Sequence, residues 1–125
     1  MPRSILIVDD EQHIRLLIEQ ALEDLEDEGI ELRTAADGEE ALEAVERHRP
    51  ELIFLDLMMP KRNGFEVCRA IKREIGLRDS VVVMLTAKGQ VYDREQGLAA
   101  GADQYITKPF DPDQLLQTAR TVLGL

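Results

Sequence analysis

The sequence predicts an α/β fold in which one parallel sheet is covered by helices on both faces. Three short runs carry this prediction, residues 5–8, 52–55 and 81–85, because each is aliphatic or β-branched at successive positions. Such runs are typical of parallel strands that are buried on both faces. Helical patterns lie between them, and the alternation of strand and helix occurs five times. We therefore expect a doubly wound, five-stranded sheet with five flanking helices.

The first half of the chain supports this alternation. After the strand at residues 5–8, apolar side chains recur with a helical period, which leaves Leu16 on the opposite, exposed side of the helix. Residues 30–35 include polar positions and therefore predict an edge strand. Asp37 and Glu40 have the spacing of a capping box, so the second helix is expected to begin there.

The second half repeats the pattern. Residues 52–55 and 81–85 supply two central strands, whereas residues 104–106 are more polar and predict the other edge strand. The last helix is expected to begin at Asp111. This residue has capping-box spacing to Gln114, and it is followed by a proline, which favours the first helical position.

Composition restricts the class of protein. The chain has 125 residues, 44% hydrophobic and 32% charged, which predicts a single globular domain over residues 1–125. Its net charge of -10 disfavours direct nucleic-acid binding, which depends on Lys and Arg. The first apolar run is too short for a secretory signal or a membrane span, so we expect a cytoplasmic protein. Cys68 is the only cysteine and is expected to be a buried thiol.

Polar residues follow four of the predicted strands at their carboxyl ends: Asp9 and Asp10, Asp56, Thr86 and Lys108. In a doubly wound sheet these ends meet at one edge, where ligands bind. Three neighbouring carboxylates repel one another unless a cation neutralises them. Oxygen ligands without His or Cys favour a hard ion, and Mg²⁺ is the usual one beside phosphate. A carboxylate beside that ion can attack phosphorus, with Lys108 and Thr86 holding the phosphoryl oxygens.

Four segments resemble the receiver domains of two-component response regulators. They are ILIVDDE at residues 5–11, LDLMMP at 55–60 leading to Gly64, MLTA at 84–87, and GADQYITKPF at 101–110. Each segment alone is weakly specific, but four in this order and at this spacing are very specific. The resemblance covers essentially the whole chain. It implies a flavodoxin-like sheet with strand order 2-1-3-4-5.

The resemblance implies a role for each matching position. Asp56 would accept a phosphoryl group from the phosphohistidine of a histidine kinase or a phosphotransfer protein. Asp10, Asp56 and the backbone carbonyl of Met58 would bind Mg²⁺, and Asp9 would act through water. Met58 and Lys88 would flank the site and tune the hydrolysis of the phosphoryl group.

The resemblance also implies how the signal leaves the domain. Thr86 and Tyr105 would be a switch pair, and Lys108 and Pro109 would be joined by a cis peptide bond. The switch would alter the face made by the fourth helix, the fifth strand and the last helix. That face would contact a downstream protein or effector domain, or a second copy in a phosphorylation-dependent homodimer.

Three other functions are compatible with this type of sheet. A phosphatase resembling the haloacid dehalogenase family needs a second Asp two residues after its nucleophile, where this chain has Met58. A nucleotide or flavin domain needs a glycine-rich turn, where this chain has Asp9, Asp10 and Glu11. A receiver-like module that is never phosphorylated does not need Asp56. We therefore predict a signalling domain, not an enzyme, that catalyses only its own phosphorylation and dephosphorylation.

Overall fold

Five parallel strands form the central sheet. The computed structural model describes residues 2–60, 62–87 and 99–125. The strands are β1 (Ser4–Val8), β2 (Glu31–Ala35), β3 (Leu52–Asp56), β4 (Val81–Thr86) and β5 (Gln104–Thr107). Their order in the sheet is β2-β1-β3-β4-β5, and every neighbouring pair is parallel. The predicted order and both predicted edge strands are confirmed.

Helices cover both faces of this sheet. α1 (Gln12–Leu22) continues as a 3₁₀ helix (Glu23–Glu28), α2 is Gly38–His48, α3 (Gly64–Arg69) continues as a π-helical segment (Ala70–Glu74), and the C-terminal helix is Pro112–Leu123. The fourth predicted helix falls mainly on residues 88–98 and lies outside the described residues. The fold class is confirmed, and the count of five helices stays a prediction.

The predicted helix starts are found at the expected residues. The Asp37 carboxylate accepts a hydrogen bond of 2.9 Å from the backbone N–H of Glu40. Asp111 also caps its helix, but it accepts from the N–H of Asp113 at 3.0 Å. The capping-box spacing predicts Gln114 as the donor instead. Because the intervening proline has no N–H, Asp113 is the nearest donor that the Asp111 side chain can reach.

Two apolar clusters, one on each face of the sheet, hold the strands in place. Alternate strand residues pack against α1 and the C-terminal helix on one face, and against α2 and α3 on the other. The fully buried residues of the three central strands are Ile5, Leu6, Ile7, Val8, Leu52, Ile53, Phe54, Leu55, Val82, Val83, Met84 and Leu85. Burial on both faces explains the uninterrupted apolar runs in the sequence. It also fixes the carboxyl ends of the strands along one edge.

Two predictions about single side chains are confirmed. Leu16 on α1 is 49% exposed. Cys68 is buried, and its Sγ donates a hydrogen bond of 3.3 Å to the backbone carbonyl of Ala100. Burial raises the pKa of the Cys68 thiol to about 11. This side chain is therefore a packing residue and not a reactive thiolate at neutral pH.

Candidate functional site

The carboxyl ends of β1 and β3 bring three aspartates together. Carboxylate oxygens of Asp9, Asp10 and Asp56 all lie within 4.8 Å of one another. The strand register explains this, because Val8 pairs with Leu55, so the residues that follow them are neighbours. Asp9 is fully buried and Asp56 is 5% exposed, whereas Asp10 faces solvent. The cluster is therefore buried at Asp9 and Asp56 and open to solvent at Asp10.

Lys108 reaches the same cluster from the end of β5. Its Nζ donates to Asp9 Oδ2 at 3.1 Å and lies 3.5 Å from Asp56 Oδ1. Burial by itself would lower the pKa of Lys108. The hydrogen bond to Asp9 and the charge of Asp56 outweigh that effect, and the pKa lies above its ordinary value. The ammonium group therefore stays charged at neutral pH and offsets one of the three carboxylates.

The environment of Asp56 disfavours its ionised form. Burial and, next, the charge of Asp9 raise the pKa of Asp56 to about 7. Two favourable contacts oppose this rise: the charge of Lys108, and the Met58 backbone N–H, which donates to Asp56 Oδ1 at 3.3 Å. Near pH 7 and without a cation, Asp56 is therefore part protonated.

The donor set of this cluster fits a hard divalent cation. It offers carboxylate oxygens from three residues, and the candidate metal cluster in the described part of the chain contains neither His nor Cys. Mg²⁺ is bound in proteins by one or two carboxylates while it keeps several waters, and the exposed side at Asp10 leaves room for them. A cation here would also relieve the repulsion that raises the pKa of Asp56.

Thr86, at the end of β4, lies on the β5 side of the site. It is 3% exposed, and its Oγ1 is 3.4 Å from Oγ1 of Thr107, its register partner on β5. Tyr105 on the same strand is half-buried and packs against the apolar cluster of the α2–α3 face. The peptide bond between Lys108 and Pro109 is cis. The residues of the predicted switch thus occupy two adjacent strands.

Gly64 lets the loop between β3 and α3 pack closely against Asp56. Its N–H donates to the Leu57 carbonyl at 2.7 Å. A Cβ at this position would lie 2.7 Å from the Asp56 carbonyl oxygen and 2.9 Å from Leu57 Cα. Both separations are well below van der Waals contact with backbone atoms, so only glycine fits without displacement of the main chain.

Two side chains beside the site were missed by sequence reasoning. Arg15 on α1 donates from Nη1 to the backbone carbonyl of Asp9 at 2.6 Å. A polar residue is ordinary on an amphipathic helix, so the sequence held no signal for this contact. Thr107 contacts Thr86, and its position next to Lys108 was the only pointer to it. Lys88 and the fourth helix of the predicted output face lie outside the described residues.

The comparison with protein families decides the class of this chain. Residues 5–120 match the family model described as the response regulator receiver domain. The chain belongs to this family. Receiver domains are the signalling domains of two-component response regulators and are not enzymes of the ordinary kind. The predicted family is thereby confirmed.

Individual relatives agree with this assignment. The chain is 46% identical over 121 residues to the probable transcriptional regulator ycf27 of Cyanophora paradoxa, covering 97% of this chain and 48% of that protein. It is 42% identical over 123 residues to the alkaline phosphatase synthesis transcriptional regulatory protein PhoP of Bacillus subtilis, covering 98% and 49%. The chain thus spans about half the length of these curated relatives.

A solved structure has the same fold over nearly the whole of its chain. The chemotaxis protein CheY4 of Vibrio cholerae superposes with a TM-score of 0.82 at 34% sequence identity, covering 98% of this chain and 99% of that one.

In the described residues, no helix combines the length and the apolar character that crossing a bilayer requires.

Proposed function

We propose that residues 1–125 form one receiver domain in which Asp56 accepts a phosphoryl group in a Mg²⁺-dependent reaction. The observation that carries this proposal is the cluster of Asp9, Asp10 and Asp56 within 4.8 Å, with Lys108 beside it. The donor would be a phosphohistidine on a histidine kinase or a phosphotransfer protein. Asp10, Asp56 and the Met58 carbonyl would hold the ion, and Asp9 would act through water.

The transfer step joins a nucleophile of this chain to a phosphoryl group carried by the donor protein. A carboxylate oxygen of Asp56 attacks phosphorus, and a bond between that oxygen and phosphorus forms. The bond between phosphorus and the donor imidazole nitrogen breaks, and its electron pair stays on the nitrogen. Lys108, 3.5 Å from Asp56 Oδ1, is close enough to hold a phosphoryl oxygen. When bound, Mg²⁺ supplies charge stabilisation for the carboxylates and the transferring oxygens.

Output would begin at Thr86. Its hydroxyl is a donor near the site, and its movement toward the phosphoryl oxygens would free space beside β5 for Tyr105. The altered face would contact an effector domain or a separate protein, or support a homodimer. We propose a cytoplasmic domain that does not itself bind nucleic acid and that catalyses only its own phosphorylation and dephosphorylation.

The proposal is tested with acetyl phosphate as a small phosphodonor, followed by intact mass measurement. The wild-type protein should gain the mass of one phosphoryl group with Mg²⁺ and not after its removal. Asp56→Asn should gain nothing. Asp27→Asn, at an exposed position of the 3₁₀ helix, is the matched control and should be labelled normally. Labelling of Asp56→Asn, or no labelling of wild type, would contradict the proposal.

A further inference from the structure

One side chain of α1, that of Arg15, extends toward the carboxylate cluster. Arg15 is the fourth residue of the helix and is half-buried, and its Nη1 donates to the Asp9 carbonyl at 2.6 Å. Asp9 is also held by other contacts. Its N–H donates to the Ala35 carbonyl at 3.2 Å, and its carboxylate accepts from Glu11 N–H at 2.9 Å and from Lys108 at 3.1 Å. Arg15 adds a hydrogen bond to the Asp9 carbonyl.

The Asp9 carbonyl is important for the metal site because its peptide bond leads directly into Asp10. That carbonyl and the N–H of Asp10 belong to one planar peptide unit, so holding the oxygen also fixes the direction of the chain into Asp10. Asp10 lies in the short connection between β1 and α1, and it is exposed. Packing therefore does little to orient it, and its placement depends on the backbone and on its side-chain hydrogen bond with Asp56.

We propose that Arg15 is a positioning residue for the Mg²⁺ site. It acts through the Asp9 main chain and orients the carboxylates of Asp9 and Asp10 toward a shared ion. This inference rests on the proposed function, because it assumes that the cluster binds Mg²⁺. Residues that orient metal ligands without touching the metal typically change metal affinity by about 10-fold or more when they are removed.

Charge and positioning make opposite predictions for this residue. A guanidinium close to a cation site repels the ion, so on charge alone the loss of Arg15 should tighten Mg²⁺ binding. If Arg15 positions the ligands, its loss should weaken Mg²⁺ binding. Arg15→Met keeps much of the aliphatic stem but removes both charge and donors. Arg15→Lys keeps the charge and places its donors on a single flexible ammonium group.

The experiment measures dissociation constants for MgCl₂ and CaCl₂ by titration calorimetry on the full chain. Arg15→Met should weaken Mg²⁺ binding by about 10-fold, and Arg15→Lys should show a smaller loss in the same direction. The preference for Mg²⁺ over Ca²⁺ should also fall, because Mg²⁺ demands near-ideal octahedral geometry and Ca²⁺ does not. Arg47→Met, exposed at the far end of α2, is the matched control and should bind both ions as wild type does.

Several outcomes would overturn the inference. One is Mg²⁺ binding by Arg15→Met that is unchanged or tighter than in wild type. Another is a loss of Mg²⁺ affinity in Arg47→Met as large as that in Arg15→Met. Weaker binding of both ions with an unchanged preference would indicate a merely structural role and also overturns it. If Arg15→Met fails to fold, Arg15→Lys tests the inference instead. Its Mg²⁺ affinity and its preference for Mg²⁺ over Ca²⁺ should then both be lower than those of wild type. Wild-type protein that binds no Mg²⁺ would refute the proposed function itself, whereas failure in Arg15→Met alone refutes only the role of Arg15.

Discussion

The raised pKa of Asp56 predicts that the metal-free protein loses stability as the pH rises toward neutrality. In the folded protein this pKa is about 7, whereas an unfolded Asp has a pKa of about 3.9. Between these two values the folded state binds the Asp56 proton more tightly than the unfolded state does. The contribution of Asp56 to the free energy of unfolding therefore falls from about pH 4 to about pH 7 and is constant above that.

The size of the effect follows from the same two values. Each pH unit between them is worth about 1.4 kcal/mol, so the whole window corresponds to about 4 kcal/mol. Surface carboxylates titrate in the same range and would obscure this loss in wild type alone. Asp56→Asn has nearly the same shape without a titrating group. Its stability advantage over wild type should therefore widen by about 2–3 kcal/mol between pH 5 and pH 7.

The assay is urea unfolding of both proteins across this pH range, first without divalent cations and then with saturating Mg²⁺. Mg²⁺ should shrink the pH-dependent difference, because the ion favours the charged carboxylate. A stability difference that stays constant with pH, or narrows as the pH rises, would refute the electrostatic reasoning. Asp27→Asn, which removes a remote and exposed carboxylate, should not reproduce the widening.

Three other predictions concern the same site. Asp10→Asn should raise the metal-free stability by roughly 1 kcal/mol, since one like charge is removed from the solvent-facing side of the cluster; its melting temperature should respond less to Mg²⁺ than that of wild type. Met58→Asn should shorten the life of the phosphoprotein, because Met58 has no group that positions water, and unchanged decay by intact mass would contradict this. The Thr86→Ala protein should still accept the phosphoryl group, but the effect of phosphorylation on Tyr105 should be weak. By NMR, the Tyr105 ring signals should respond to beryllofluoride in wild type and only weakly in Thr86→Ala, and a full response in the variant would exclude Thr86 as the link.

The strands were predicted from the sequence to within about one residue. The prediction included Ile30, which β2 does not, and the other small errors have one cause. The apolar runs end at Leu55 and Leu85, but the ladders continue to Asp56 and Thr86. Asp56 still pairs with Leu85. Backbone hydrogen bonds do not depend on side-chain polarity, so a polar residue at a strand end is invisible to a hydrophobic pattern.

The site was predictable where topology determines it. Asp9, Asp10, Asp56 and Lys108 converge because parallel strands present their carboxyl ends at one edge. Their chemical roles stay predictions until they are measured. Arg15 was not predictable, because its contact depends on how a long side chain curls back over a helix start. No spacing rule in a sequence encodes that conformation.

The tight fit at Gly64 limits where the site could respond to phosphorylation under the proposed function. Because even a methyl group would collide with the backbone of Asp56 and Leu57, the loop after β3 is packed in direct contact with the Asp56 backbone. There is therefore little unfilled space between this loop and the Asp56 backbone. On the β5 side of the site, the 3.4 Å separation between the Thr86 and Thr107 hydroxyls is at the limit of hydrogen bonding. Under the proposed function we therefore expect the response to phosphorylation to begin at this weak contact and not at the loop after β3.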